Sequence, residues 1–433
     1  MSDAAARIPQ ELFDNIIDLV HPGKWTLSSF SLVSRSWLAK SRRRLFARVH
    51  LVGVQHQFLP FLTFITVKNN SSLLGPPLSR FVESVHVENR EVLLTDLAII
   101  NTDMLRSLLS LLPNLRDLRF SGITLSWVAP IEPEDWLAFR PVHLDNLSLL
   151  GTTTVSLTPL DIIASLRLFS SIKVLHISML GFDEYEFPQN PTALSTHPLL
   201  SWEDLYFPSK LRVSSIKSSD ICLAPFLLAL MAKTASVGTI TDVDIACRTM
   251  NQIRALGSFL HVVGRRIRNI TVDVIELCWI TSLRLVLRDR YLQSFNLTAC
   301  TNLTSLTLRM SLSPYRNDLN IVAFNLATNF LSRTSATVHT IILEILLDSL
   351  DDFYEDLTSD TLLCWIRRSA GSEFTDFQSV IRQRRGVCKL CIRWGKLQDQ
   401  AMLETKLIEW MNLFAWAQLS ELDANGILCF ESI

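Results

Sequence analysis

Cys388 and Cys391 stand in a Cys-x-x-Cys spacing, the one metal-like or redox-like pair in this sequence of 433 residues. A structural zinc site usually takes four ligands, and no second Cys-x-x-Cys or paired histidine motif accompanies this one. A redox pair sits at a helix N-terminus, where the thiolate is stabilised. This pair instead straddles Leu390 in Val387-x-x-Leu390-x-Ile392, which reads as a strand. Both cysteines are therefore read as ordinary thiols. A second chemical candidate is the acidic stretch carrying Asp348, Asp351, Asp352, Glu355, Asp356 and Asp360. Its spacing lacks the alternating oxygen ligands and turn glycine of a calcium loop, so it reads as a solvated loop and helix start. The basic run from Lys40 to Arg48 reads as a solvated helix face. Gly-x-Gly-x-x-Gly, Gly-x-x-x-x-Gly-Lys-Ser/Thr, His-Glu-x-x-His and Gly-x-Ser-x-Gly are absent. No catalytic, cofactor-binding or metal-binding residue is assigned, and the chain is not expected to be an enzyme.

Composition sets the frame for these residues. Hydrophobic residues make up 48% and charged residues 19%, enough apolar surface to build a large core. The length suits several domains or one extended repeat array. Lysine plus arginine (41) nearly balances aspartate plus glutamate (42). Neither nucleic acid nor an anionic membrane is an expected partner. The first residues, with Asp3, Arg7, Glu11 and Asp14, lack the apolar region of a secretory signal, and no apolar run is long enough to span a bilayer. The expected location is cytoplasmic and/or nuclear, with all eight cysteines as free thiols.

The elements at the N-terminus read as three short helices. Pro9 suits a first helical turn, and Leu12, Phe13, Ile16, Ile17, Leu19 and Val20 follow before His21-Pro22-Gly23 stops the helix. Thr26 is the expected cap of a second stretch with Leu27, Phe30, Leu32, Val33 and Trp37. A short basic helix runs from Lys40 to Phe46. Helices of this size, in roughly 40 residues, cannot bury so much apolar surface alone. A partner surface is implied, either the following domain or another protein.

The string Ile8-Pro9-x-Glu11-Leu12, then Ile16-Ile17, Ser31-Leu32-Val33-Ser34-Arg35-x-Trp37 and Arg43-x-Leu45-Phe46 resembles the F-box of the large fungal families. The resemblance covers about Ala6 to Leu51, and Ile8 stands where leucine is commoner. It implies docking on a Skp-type adaptor and, through it, on a cullin-RING ubiquitin ligase. By that resemblance Ile8, Pro9, Leu12, Ile16, Leu32 and Val33 would meet the adaptor, while Trp37 and Leu45 would hold the small helical core.

Behind this module a worn Leu-x-x-Leu-x-Leu pattern recurs, the signature of a leucine-rich repeat strand. Copies begin at Leu115, Leu144, Ile172, Ile240, Ile267, Leu303, Val338, Val387 and Leu419, and Phe81 to Val87 reads as an entry strand. Most steps are about 27 to 36 residues, with longer gaps before Ile240 and after Leu343. Units of that length leave room for a helix between strands, expected at Leu97–Leu112, Pro159–Phe169, Pro225–Lys233, Met250–Val263, Ile321–Leu331 and Gln400–Gln418.

The expected fold class is α/β: a three-helix F-box-like module over residues 1–51, then an irregular leucine-rich repeat solenoid of parallel strands and convex helices over residues 52–433. Residues between the apolar strand positions would face a partner. Arg116, Arg119, His176, Asp242, Asp244 and Arg309 are the named candidates for target binding, with Ser148 and Thr307 on the same face. The expected role is a substrate-recognition adaptor of an SCF-type cullin-RING ubiquitin ligase, acting in ubiquitin-dependent protein degradation on an unknown target. The alternative is a repeat scaffold without ligase association, its helical module serving as a cap.

Overall fold

The structure is a computed structural model of the whole chain, described here for residues 11–12, 15, 17, 24–33, 35–70, 77–89, 99–126, 139–154, 160–179, 208–219, 223–275, 277, 297–312, 317–335, 337–347, 372–383, 389–395 and 428–432. The fold is α/β, and it separates into two compact units. The first comprises Met1–Phe182 with Trp202–Leu211, and the second Asp183–Ser201 with Arg212–Ile433.

The first unit opens with helical residues at 11–12, 15 and 17, followed by α1 (Lys24–Val33) and α2 (Arg35–Ala47). Thr26 lies inside α1 and does not cap it. Trp37 and Leu45 share one continuous helix, because nothing between Trp37 and Lys40 breaks it. α2 runs directly into β1 (Arg48–Val52), so the expected boundary at 51/52 falls within a strand. Next come α3 (Leu59–Asn70), β2 (Ser84–Glu88), β3 (Ile99–Asn101), α4 (Thr102–Leu111), β4 (Asp117–Ser121), β5 (Thr124–Ser126), β6 (Val142–Thr154), α5 (Leu160–Leu166) and β7 (Phe169–Met179). Strands β1-β2-β4-β6-β7 pair in parallel in that order. After β4 the chain bends at Gly122, whose φ of 65° is left-handed. β5 then pairs with β3 and with the end of β6 in a second short parallel sheet.

The second unit contains β8 (Arg212–Ser218), α6 (Leu223–Ala232), β9 (Asp242–Ala246), α7 (Met250–Val263), β10 (Asn269–Asp273), β11 (Ser305–Leu312), α8 (Asn317–Ser332), β12 (Thr340–Leu347), α9 (Ser372–Gln383), β13 (Lys389–Gly395) and β14 (Leu428–Ser432). Its strands pair in parallel in chain order from β8 to β14. α7 begins with a capping box in which Thr249 and Gln252 satisfy each other's backbone amides.

The apolar triplets build the core in both units. Leu115/Leu118/Phe120, Leu144/Leu147/Leu149, Ile172/Leu175/Ile177, Ile240/Val243/Ile245, Ile267/Ile270/Val272, Leu303/Leu306/Leu308 and Val338/Ile341/Leu343 are all buried, none more than 3% exposed. Helices cover that face with residues at helical spacing, such as Leu105, Leu108 and Leu109 of α4 and Ile253, Leu256 and Leu260 of α7. A recurring backbone device sets the register. At five places among the described residues one carbonyl accepts two successive amides from the segment that follows: Glu83 from Arg116 and Asp117, Arg116 from Asp145 and Asn146, Thr241 from Arg268 and Asn269, Arg268 from Thr304 and Ser305, and Thr304 from His339 and Thr340. Asn114 and Asn302 add a side-chain clasp, each amide donating to a carbonyl of a short 3-10 turn one repeat earlier, Arg80 and Arg265.

Strands β1, β3, β5, β8 and β14 are not anticipated by the repeat pattern, and β3 occupies Ile99–Asn101 within the helix expected at Leu97–Leu112, which begins only at Thr102 behind its Asn101 cap. The copy expected at Leu419, the helix expected at Gln400–Gln418 and the acidic stretch at Asp348–Asp360 lie outside the described residues.

Candidate functional site

The N-terminal helices show a divided surface. Ile17 and Leu27 are fully covered, and the Phe30 and Trp37 rings meet edge to face at 4.8 Å. Leu12, by contrast, is 52%, Leu32 85% and Trp25 89% exposed. Leu45 and Trp37 are half-buried. Ile8, Pro9 and Ile16 lie outside the described residues, and Val33 closes α1. Trp25 was not singled out from the sequence. Its position two residues ahead of buried Leu27 places it on the opposite side of the first turn of α1, a signal the helical period does contain.

Strand alternation then defines an open sheet face in each unit. In the first unit one rung crosses five strands: His50, His86, Arg119, Ser148 and His176 stand opposite one another in register. Arg116 and Arg119 are exposed and His176 is half-buried, whereas Ser148 is covered. At the β1–β2 end the His50 and His86 rings stack at 4.6 Å with 7° between their planes. His50 Nε2 lies 2.9 Å from Glu88 Oε2, and His86 Nε2 lies 3.1 Å from Ser121 Oγ. Burial, the neighbouring His50 ring and the Arg119 guanidinium hold the His86 imidazole below its ordinary value, against the pull of Glu88. His50, His86 and Glu88 form the cluster of metal-type donors found among the described residues. Sequence spacing did not reveal it, because His50 and His86 are brought together only by strand register.

In the second unit two of the named candidates, Asp244 and Arg309, bind each other. Arg309 donates to Glu344 Oε2 at 2.6 Å and to Asp244 Oδ1 at 2.9 Å. Burial would lower the guanidinium's proton affinity, but Asp244, the Glu344 hydrogen bond and Asp273 outweigh it and raise it. Asp242 is engaged by Thr241 Oγ1 and by Asn269 Nδ2 at 2.5 Å. Thr307 is buried rather than open. The sequence placed Asp244 and Arg309 on the correct face. It could not show that Arg309 reaches across β10, which leaves little of this charge free for a target.

The chain matches no protein-family model, and no curated protein matches it. Among the described residues no helix is long and apolar enough to cross a membrane.

Proposed function

We propose that the chain is a substrate-recognition adaptor: its N-terminal helices form an F-box-like module that docks on a Skp-type adaptor, and through it on a cullin, while a leucine-rich repeat array holds a target protein. Catalysis in such an SCF-type assembly belongs to other subunits; this chain would supply proximity. The observation that carries the reading is the exposure of Leu12, Trp25 and Leu32 on helices whose inner side is already filled by Ile17 and Leu27. Large apolar side chains left open together mark a protein-binding surface. An interface of standard size, roughly 1,200–2,000 Å² in total, would cover them.

The test is co-purification of the full chain with a Skp-type adaptor. Wild type should capture it. Leu32→Asp and Leu12→Asp should each cut capture at least about ten-fold, as hot-spot losses do, and leave stability within about 0.5 kcal/mol, as surface substitutions do. Capture that survives both substitutions, or fails with wild type, removes the reading.

One observation favours a second reading, a scaffold whose helices only cap the array. α2 continues into β1, the Glu83 amide donates to the Ala47 carbonyl, and Arg43 pairs with Glu83 at 3.2 Å. Solenoid ends need such covers. A wild-type chain that stays folded and monomeric without capturing the adaptor would support the cap.

A further inference from the structure

We propose that His50, His86 and Glu88 form a binding site for a divalent transition-metal ion of the zinc class, at the first two strands of the array. Strand register brings the three residues together. β1 and β2 pair in parallel with His50 opposite His86 and Val52 opposite Glu88. His50 is exposed, and His86 and Glu88 are half-buried on the same side. Adjacent strands lie about 4.8 Å apart, so side chains on one rung are held close without any loop to order. One donor atom from each residue falls within 4.8 Å of the others.

Metal–nitrogen and metal–oxygen bonds to zinc are about 2.0–2.2 Å, which puts tetrahedral donors about 3.3 Å apart. Closing the remaining distance would require the stacked rings to turn toward a common point. The strands are fixed around the cluster: five residues pair in register, and the Gly53 amide donates to the Glu88 carbonyl at 2.8 Å.

The donor chemistry selects the ion. Two imidazoles and one carboxylate suit zinc, copper or nickel, whereas calcium and magnesium favour oxygen alone. Metal ligation needs neutral imidazole, so binding should weaken in acid. On binding, His50 Nε2 would pass from Glu88 to the ion, and Ser121 Oγ beside His86 is placed to act as an outer partner. Arg119, opposite His86 on β4, opposes the ion's charge and tempers its affinity. Three protein donors leave a fourth position for water or for a ligand from a bound partner. The proposal does not depend on association with a ligase.

The test uses the full chain, freed of metal with a chelator and titrated with zinc chloride by calorimetry. Wild type should bind one equivalent lost to the His50→Gln/His86→Gln double variant, and Glu88→Gln should weaken it by about ten-fold or more. These side chains lie on the open sheet face, so circular dichroism should be unchanged. Cobalt(II) serves as a second probe: its visible spectrum should report nitrogen and oxygen donors and survive Cys388→Ser/Cys391→Ser. Absence of saturable zinc binding, an unchanged isotherm in the folded double variant, or a thiolate charge-transfer band with cobalt would each overturn the site.

Discussion

Arg309 lies among Asp244, Asp273 and Glu344, with Asp244 and Glu344 in direct contact. Its loss would remove the cation that bridges Asp244 and Glu344 across the sheet, and half-burial makes that costly. Arg309→Gln is expected to lower stability by about 1–2 kcal/mol, measured by denaturant unfolding, with part of the loss recovered in high salt. Asp117 makes the opposite kind of contribution. Burial, and then the nearby Asp145, raise its proton affinity above the ordinary value, against Arg48 and Arg116. The folded state therefore holds this proton more tightly than the unfolded chain does. Stability contributed by protonated Asp117 is present below the unfolded value and is lost as pH rises through the raised one. Asp117→Asn should thus be more stable than wild type at neutral pH, and that advantage should vanish near pH 3 in paired denaturation curves. None of these couplings was legible in the sequence. Asp244 and Arg309 were recognised as facing outward, but their pairing depends on register across β9, β10 and β11.

At the scale of the element, legibility followed the side chains in the core triplet. Where all three positions were aliphatic or aromatic, as in Ile267/Ile270/Val272, the strand could be read directly. β8 escaped because its third position is Ser218, which stands opposite Ile245 and is buried with a hydroxyl that finds no partner among the described residues. The Val213/Ile216/Ser218 triplet is the worn copy that fills the long gap before Ile240. Ser218→Ala should remove the unsatisfied hydroxyl and raise stability by about 1 kcal/mol, seen as a higher melting temperature. β1 escaped for a different reason: the basic run of α2 leads into it without a break, and only Val49 and Leu51 mark its inner side. The turn after β4 shows the reverse case, in which a single residue type is required. A Cβ at position 122 would lie 2.7 Å from the Asn89 carbonyl oxygen in a left-handed conformation. Gly122→Ala should cost about 1–3 kcal/mol in the same assay.

For the molecule as a whole, the parallel α/β plan was legible because it rests on periodicity, which sequence carries. The histidine–carboxylate cluster was not, because its residues share no local spacing. The depth of the core offers a global probe. Cys247 and Cys300 are buried free thiols. Burial pushes the Cys300 thiol up to about 12 and drives Cys247 higher still, with Asp273 adding to the effect. Neither carries appreciable thiolate near neutral pH. Both should resist iodoacetamide in the native protein and react only on unfolding, as peptide mapping of pulse-labelled samples would show. Rapid native labelling of either would contradict the packing of the second unit.

The twice-used carbonyls at Glu83, Arg116, Thr241 and Arg268 carry a consequence for how such a chain can change over time. The strands that follow these carbonyls take their starting point from the strand before, and not from the amount of polypeptide spent in between. Asp242 and Asn269 are neighbours after a short excursion, and Thr340 and Lys389 are neighbours after a much longer one. Insertions and deletions outside the strands can therefore accumulate without shifting the ladder, which lets the loops drift in length and chemistry while the rungs keep their alignment.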